Sequence, residues 1–369
     1  LRKHPAVRTM PAIGALAYWI RPANLTRLEA EWERLSTQEP RAIRVPRGVA
    51  FHIPPTNVDT LFIYSWLLSA LAGNANVIRL SATAVDAGGP LLSTIAEGLA
   101  AHPTMSSTTA IVTYGHDVAI TRALSRADAR VIWGGDDTIG AIRAIQPAPR
   151  TFELAFPDRY SLALLDVETV LALDDDGSAR LAQGFFNDAY WFDQLGCASP
   201  RLVVWRGDAG DAAVASNRLR DALATELEAR GHPSTPTSAV VAKFVHAADT
   251  AATGAVTSVD WRNNDLTVAT LDALEALRRD SPGGGLFYEA TIGDLAELVP
   301  HIDRRDQTLT HLGFDEAELR ELARSVGARG IDRIVPVGQA LNFDRLWDGH
   351  DLLVAFTRNI VVTASSPGS

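Results

Sequence analysis

Apolar runs of strand length alternate with segments of helical periodicity along most of the chain. In the first half, we expect strands at residues 48–53, 76–80, 109–114 and 129–133, and helices at 58–72, 87–101, 118–126 and 138–144. In the second half, we expect strands at 161–165 and 201–205, helices at 179–192, 208–230 and 314–326, and a closing strand within 352–362. Short strands separated by such helices are typical of βαβ units, so the pattern predicts an α/β fold with a mostly parallel sheet.

The longest uncharged stretch, residues 60–78, approaches the length of a membrane-spanning helix. Ser65 and Ser69 interrupt it with polar groups, and the pair Gly73-Asn74 is a typical helix stop. We therefore predict a buried helix followed by a buried strand, and no integral association with a membrane.

The composition is that of a globular protein, with 47% hydrophobic and 21% charged residues in a chain of 369. There are 34 basic and 44 acidic residues, and the resulting formal net charge of −10 argues against nucleic acid binding, which usually needs a basic face. The single cysteine, Cys197, excludes an intrachain disulfide and a cysteine-rich zinc site, and it fits a reducing cytoplasm. The nine histidines show no close ligand spacing, so we predict no metal ion.

Cys197 is the strongest candidate for covalent chemistry. It stands in the segment FDQLGCASPR, between a predicted helix and a predicted strand. A lone cysteine is more often a small buried apolar residue than a nucleophile. Its neighbours Gly196, Ala198 and Ser199 are small, however, and small flanking residues leave room for a substrate carbonyl carbon to approach the sulfur.

Two other residues could assist such a nucleophile. Asn57 lies between a predicted strand and a predicted helix, where it either caps the helix or donates its amide to a developing oxyanion. Glu153 is either a solvated surface residue or a partly buried carboxyl between Phe152 and Leu154. In the second case its raised pKa would suit an acid or a base.

The turn Gly134-Gly135 follows a predicted strand and opens a helix, so its backbone could approach a phosphate. Asp136 and Asp137 come next, and their charges repel an anion. The complete G-x-G-x-x-G fingerprint is absent, as are the Walker A, H-E-x-x-H and G-x-S-x-G motifs.

Five segments, taken in order, resemble the aldehyde dehydrogenase superfamily: PRGVAFHIPPTN, ALAGNANVIRLSA, ARVIWGGDDTIGAI, FELAFPDRYSLALLD and QLGCASPRLVVW. Two further segments, YWFDQLGCASPR and GIDRIVPVGQALNFDRLWDG, resemble the long-chain acyl-CoA reductase family. That family includes the reductase subunit of the bacterial bioluminescence fatty acid reductase complex, and the resemblance extends over nearly the whole chain.

The resemblance implies roles for three catalytic residues. Cys197 matches the nucleophile, Asn57 the amide that holds the oxyanion, and Glu153 the glutamate of a Glu-Leu-Gly-Gly motif. In this chain the two glycines of that motif are replaced by Ala155 and Phe156, so the backbone there is expected to differ.

The resemblance also implies a bound nicotinamide cofactor. Its binding residues would be Arg79, Ser81, Gly135, Asp136 and Glu289, with Glu289 reaching the nicotinamide ribose. Relatives that prefer NAD often carry a glutamate where this chain has Ala82. A basic Arg79 without that carboxylate attracts a 2′-phosphate, so we expect NADPH as the cofactor.

The implied fold is aldehyde dehydrogenase-like and α/β. It comprises a Rossmann-like cofactor domain over residues 1–155, with a candidate oligomerisation segment at about 28–46, and an α/β catalytic domain over 156–345. A closing or oligomerisation segment would occupy 346–369. The superfamily usually assembles by strand exchange between subunits, so a homo-oligomer is expected.

The implied activity is NADPH-dependent reduction of an acyl thioester to an aldehyde through an acyl-enzyme on Cys197. The acyl group would arrive on coenzyme A, on a carrier, or from a partner acyl-protein synthetase. Aromatic residues such as Tyr190, Trp191, Phe192 and Phe343 could line an acyl tunnel or belong to the core.

Three alternatives stay open. A hydrolytic aldehyde dehydrogenase would oxidise an aldehyde to the acid and use Glu153 as its base. A relative that reduces acyl phosphates is the second. The third is a catalytically silent subunit that only binds an acyl carrier or a partner enzyme, although the joint presence of Cys197, Asn57 and Glu153 argues against it.

Overall fold

The chain divides into two compact units. Unit 1 comprises Leu1–Asp158 together with Phe343–Ser369, and unit 2 comprises Arg159–Asn342. The computed structural model describes residues 11–55, 61–87, 89–232 and 235–363. Unit 2 is therefore one continuous segment inserted between the two segments of unit 1.

Unit 1 is built on a five-stranded sheet whose strands all run parallel. Its order is β4-β3-β2-β5-β6, and the strands are β2 (Val49–Ile53), β3 (Ala75–Leu80), β4 (Thr109–Thr113), β5 (Ala129–Trp133) and β6 (Phe152–Phe156). Every residue of β5 is buried, as expected for an apolar run in a parallel sheet covered on both faces. The four strands predicted in this part of the chain are present, and β6 is an additional one.

Helices connect these strands. They are α1 (Pro11–Trp19), α2 (Pro22–Thr37), α3 (Leu61–Leu71), α4 (Ala82–Ala87), α5 (Gly89–Ala101), α6 (Pro103–Ser107), α7 (Val118–Leu124) and α8 (Asp136–Arg143). The uncharged stretch is thus helix α3 followed by strand β3, with Gly73 at a φ of +89° between them. Across the described ranges, no helix is both long enough and apolar enough to cross a bilayer.

The C-terminal segment completes unit 1. Two short strands, β14 (Leu346–Trp347) and β15 (His350–Asp351), form a hairpin, and helix α15 (Leu352–Ala355) and strand β16 (Thr357–Val361) follow. Strand β16 pairs antiparallel with β1 (Ala42–Pro46) in a two-stranded ribbon. The prediction of one closing strand over 352–362 is therefore wrong for its first part, where the Asp351 side chain accepts from the Val354 N–H and caps a helix.

A buried asparagine ties this returning segment to the five-stranded sheet. The Asn74 amide nitrogen donates to the carbonyl oxygens of Phe356 at 2.9 Å and Ser69 at 3.1 Å. Its side-chain oxygen accepts from the Gly48 N–H at 3.0 Å. One side chain thus connects the end of α3, the start of β2 and the C-terminal segment.

Unit 2 contains a seven-stranded sheet in the order β13-β12-β7-β8-β11-β10-β9. Its strands are β7 (Tyr160–Asp166), β8 (Pro200–Arg206), β9 (Val256–Trp261), β10 (Thr267–Leu271), β11 (Leu286–Ile292), β12 (Asp306–Leu312) and β13 (Arg333–Pro336). All neighbours pair in parallel except β9, which is the antiparallel edge strand.

Helices cover both faces of this sheet. They are α9 (Val167–Ala172), α10 (Asp175–Ala189), α11 (Ala209–Ala229), α12 (Thr237–Ala252), α13 (Leu295–Leu298) and α14 (Glu316–Val326). Alternate residues of each strand enter different clusters, since Val203 and Trp205 belong to one core and Leu202 and Val204 to the other. Helix α10 begins earlier than predicted, because Asp174 caps it by accepting from the Gly177 N–H.

We predict that Asn74→Ala lowers the free energy of unfolding by about 2–3 kcal/mol, because it leaves the buried partners of that amide unpaired. Chemical denaturation followed by circular dichroism measures the change. Asn359→Ala is the matched control, since Asn359 is exposed on β16. Equal effects of the two substitutions would contradict the prediction.

Candidate active site

Cys197 lies in the loop between α10 and β8, just before β8 begins at the amino edge of the unit 2 sheet. It is partly buried and is not in a disulfide. Its carbonyl oxygen accepts a hydrogen bond from the Ser161 hydroxyl at 2.7 Å, which ties the loop to the start of β7. A Cβ added to Gly196 would lie 3.2 Å from Ser199 Oγ, so the flank of the cysteine is closely packed.

The predicted oxyanion residue, Asn57, lies outside the described residues. The strand that precedes it, β2, ends at Ile53, at the carboxyl edge of the unit 1 sheet. Ligands of open parallel α/β sheets bind at that edge. The role of Asn57 as the oxyanion amide stays a prediction.

Arg79 lies near the carboxyl end of β3 and is partly buried. One of its terminal nitrogens donates weakly to the carbonyl oxygens of Tyr114 at 3.4 Å and Gly115 at 3.3 Å, and its guanidinium carbon lies 5.1 Å from the Tyr114 ring centre. Its Nε is buried and finds no acceptor among the residues that the structure describes. A partly exposed guanidinium whose terminal nitrogen makes only these long bonds is suited to an anion at this edge.

Ser81 follows directly after β3. Its Oγ accepts from the Ala84 N–H at 3.1 Å, a bond that uses the oxygen and not the hydroxyl proton. The residue three positions after Arg79 is Ala82, so this part of the edge carries a cation and a hydroxyl donor but no acidic side chain at that position.

Gly135 is the N-cap of α8, and Asp136 is the first residue of that helix. The Asp136 N–H donates to Asp158 Oδ2 at 3.3 Å, and a Cβ added to Gly135 would lie 3.0 Å from the same oxygen. A carboxylate from the end of β6 therefore already faces this helix N-terminus. Asp158 is not among the predicted site residues, although its position after β6 puts it at the edge where β5 ends.

Glu153 lies at the opposite end of its strand from this edge, opposite Arg130 of β5. Its Oε2 accepts from Arg130 Nε at 3.0 Å and from a second nitrogen of the same guanidinium, and its Oε1 accepts from Arg143 Nε at 2.7 Å. Arg130 is buried and also donates to the carbonyl oxygens of Ile142 and Ile145, at the C-terminal end of α8.

These contacts decide the charge of Glu153. Burial alone would raise its pKa, but the hydrogen bonds and charges of Arg143 and Arg130 outweigh burial and hold the pKa below its ordinary value of 4.5. The alternative in which partial burial raises the pKa of Glu153 is therefore wrong. An ionised carboxylate bound by two guanidiniums anchors α8 to the sheet.

Glu289 is buried in the middle of β11 and not at a strand end. Its Oε2 accepts from Ser216 Oγ at 2.5 Å and Trp205 Nε1 at 3.3 Å, and its Oε1 accepts from Thr270 Oγ1 at 2.9 Å. An Arg220 nitrogen lies 3.7 Å from Oε1. This network inside unit 2 accounts for both oxygens, which argues against the predicted contact with a cofactor ribose.

The predicted site residues thus fall into separate groups. Arg79, Ser81, Gly135 and Asp136 share the carboxyl edge of the unit 1 sheet, whereas Glu153 does not. Cys197 and Glu289 belong to unit 2 but lie at different levels of its sheet. Of the aromatic residues proposed for a tunnel, Tyr190 is buried in the core of unit 2, and Phe343 stacks on Tyr64 in unit 1. Within the described ranges, no group of three His, Cys, Asp or Glu residues could hold a metal ion.

Comparison with solved structures identifies the fold. Lactaldehyde dehydrogenase matches 92% of this chain and 77% of its own at a TM-score of 0.65 and 15% identity. An NAD-dependent benzaldehyde dehydrogenase from Corynebacterium glutamicum matches 95% of this chain and 81% of its own, with a TM-score of 0.62 and 15% identity. Bifunctional proline utilization A matches 91% of this chain at a TM-score of 0.65 and 16% identity, and this chain spans 38% of its length.

These identities are low, and the structural likeness establishes the aldehyde dehydrogenase fold alone. A comparison with curated proteins found no match. A sequence model described as "Acyl-CoA reductase (LuxC)" matches residues 31–359, a range that includes Cys197, Arg79, all of unit 2 and most of unit 1. The chain belongs to the acyl-CoA reductase (LuxC) family.

Proposed function

We propose that this protein reduces an acyl thioester to the aldehyde with NADPH, through an acyl-enzyme on Cys197. The observation that carries the proposal is the family match over residues 31–359, within which the only cysteine of the chain stands partly accessible between the small residues Gly196 and Ala198. The acyl donor would be acyl-CoA or an acyl group on a carrier or partner synthetase.

The Cys197 thiolate attacks the carbonyl carbon of the thioester, and a new carbon–sulfur bond forms. The bond to the thiol carrier breaks, and the carrier leaves as a thiol after taking up a proton, so that an acyl-enzyme remains. When bound, NADPH supplies the hydride that reduces this acyl carbon. The carbon–sulfur bond to Cys197 then breaks, which releases the aldehyde and restores the thiolate.

Asn57 is proposed to donate its side-chain amide to the oxyanion that forms on the reacting carbonyl, together with a backbone N–H near Cys197. A donor of this kind is worth about 2.7–4 kcal/mol of the reaction barrier. The proposal is supported by the sequence order, because Asn57 comes soon after the end of β2, and ligands of open parallel sheets bind at the carboxyl ends of the strands.

The residues at the edge of unit 1 fit the adenosine end of NADPH. Arg79 would hold the 2′-phosphate with its guanidinium, and Ser81 would donate its hydroxyl proton to the ribose. Ala82 leaves this position without the carboxylate that would repel a phosphate. Gly135 and Asp136 remain the proposed neighbours of the pyrophosphate, although an anion there must displace the Asp158 carboxylate.

The ion pairs of Glu153 favour reduction over hydrolysis. A hydrolytic dehydrogenase needs a base that removes a proton from water, and such a base needs a pKa near the working pH. The hydrogen bonds from Arg143 and Arg130 hold the pKa of Glu153 low and occupy both of its oxygens. We therefore give Glu153 a structural role and leave it out of the reaction.

A homo-oligomer in the cytoplasm is proposed as the working form. The ribbon of β1 and β16 exposes the apolar side chains of Ile43, Ile360 and Val361, and covering them would favour assembly. The absence of an intrachain disulfide in a chain with one cysteine is compatible with a reducing compartment.

Cys197→Ala should abolish both NADPH oxidation and covalent acylation by acyl-CoA. The first is followed by absorbance of the reduced cofactor and the second by intact-protein mass. Because the chain has one cysteine, any acyl adduct on sulfur must be on Cys197. Near-normal turnover in the variant would show that the nucleophile is misassigned.

Arg79→Ala should raise the KM for NADPH by about 10–100-fold, which corresponds to one charge-assisted contact of about 1.5–3 kcal/mol. The KM for NADH should barely change, because NADH lacks the 2′-phosphate. Arg122→Ala is the matched control, since Arg122 is exposed on α7 of the same unit. A wild-type enzyme that prefers NADH, or an equal effect on both cofactors, would contradict this assignment.

Glu153→Gln should lower the free energy of unfolding at pH 7 by about 2–3 kcal/mol, because the buried Arg130 loses its charged partner. The pKa of Glu153 is lower in the folded state, so the stabilisation is complete above pH 4.5 and disappears as the pH falls through the folded value. Denaturation at several pH values tests this. A loss of turnover without a loss of stability would instead indicate a catalytic Glu153.

A further inference from the structure

The loop that carries Cys197 begins in an unusual backbone conformation. Asp193 and Gln194, at φ values of 47° and 60°, are consecutive residues in the left-handed region. Residues with a Cβ pay roughly 1–2 kcal/mol each for that conformation. The start of the loop must therefore be held by contacts that outweigh this strain.

The side chain of Gln194 provides several of these contacts. It is fully buried, and its Nε2 donates to the carbonyl oxygens of Pro200 and Leu286, both at 3.1 Å. Its Oε1 accepts from the Gly285 N–H at 2.7 Å. The carboxamide thus joins both ends of the Cys197 loop to the turn at residues 283–285 and to the start of β11.

That turn consists of three consecutive glycines at positive φ, between 66° and 78°. A Cβ added to Gly285 would lie 1.8 Å from the Asp265 carbonyl oxygen, so no other residue fits there. The Gly284 N–H donates to the Asp193 carbonyl oxygen at 3.0 Å. The turn therefore contacts the Cys197 loop through both its main chain and the Gln194 side chain.

Lys243 of α12 supports the turn from the other side. It is fully buried, and its Nζ donates to the carbonyl oxygens of Gly284 at 2.9 Å and Asn264 at 2.6 Å. Burial lowers its pKa to about 8, against the opposing charge of Asp265. Removing an ammonium group from water costs free energy. The hydrogen bonds of Lys243 to the two carbonyl oxygens offset that cost and hold the turn in place.

We propose that Gln194 and Lys243 are positioning residues that act through the glycine turn at 283–285 to set the reactivity of the Cys197 thiol. The inference rests on the proposed function for its catalytic consequence, because it takes Cys197 as the nucleophile. The relay runs from Lys243 Nζ to the Gly284 carbonyl, from the turn to Gln194, and from Gln194 to the loop.

The test compares Gln194→Met, Lys243→Met and the double variant in the full-length protein. The first readout is the rate constant for alkylation of Cys197 by iodoacetamide, measured by intact mass. Because the chain has one cysteine, the thiol that is alkylated is known. The second is kcat and KM for acyl-CoA reduction. Should Gln194→Met fail to fold, Gln194→Glu keeps the size of the side chain and an acceptor for Gly285 but loses both donated bonds.

Leu322→Ala is the matched control for general destabilisation, because Leu322 is buried on α14 and outside the relay. We expect both single variants to shift the alkylation rate and to lower kcat about 10–100-fold with the KM for cofactor unchanged. The double variant should be no worse than the poorer single one, since both residues act through one turn.

Two outcomes would overturn the inference. One is a melting temperature reduced as in Leu322→Ala with wild-type alkylation of Cys197. The other is a double variant in which the two effects on alkylation multiply, as for independent residues. A wild-type protein that does not reduce acyl thioesters would refute the proposed function alone, because the alkylation measurements still decide whether the relay exists.

Discussion

The shape of the loop around Cys197 depends on the buried carboxamide of Gln194. This side chain must satisfy two carbonyl oxygens and one N–H at the same time, and leaving any of them unpaired costs about 1–3 kcal/mol. A carboxylate lacks the donors and a hydrocarbon lacks every polar group, so only an amide of this length serves. All of the partners belong to residues 159–342, so the geometry of the loop is a property of unit 2.

Much of the fold was predictable because its central strands are continuous apolar runs that need burial on both faces. Helix α12 was not recognised, and the reason lies in its surface. Its apolar residues Val241, Phe244 and Val245 are 56–60% exposed, whereas Lys243 is buried. Apolar residues are normally buried and charged ones exposed, and α12 reverses this at these positions. The spacing of its apolar residues therefore does not predict which face is buried.

The sequence offers candidate site residues where the chemistry belongs to a short segment, as for Cys197 with its small neighbours and for Arg79 near the end of β3, and the roles of both stay predictions. It was not predictable where a side chain is defined by distant partners. Glu153 meets Arg130 across the sheet, and Glu289 meets Ser216 from a helix. No local pattern encodes those pairings, since strand order and helix packing decide them.

The order of the two units along the chain has a consequence for synthesis on the ribosome. Unit 2 is one continuous segment, so it can acquire its native contacts as soon as it has emerged. Unit 1 is complete only when β16 has paired with β1 and the Asn74 amide has bonded to the Phe356 carbonyl oxygen. Residues 1–158 are therefore synthesised first but complete their fold last, and they must avoid aggregation while unit 2 is synthesised.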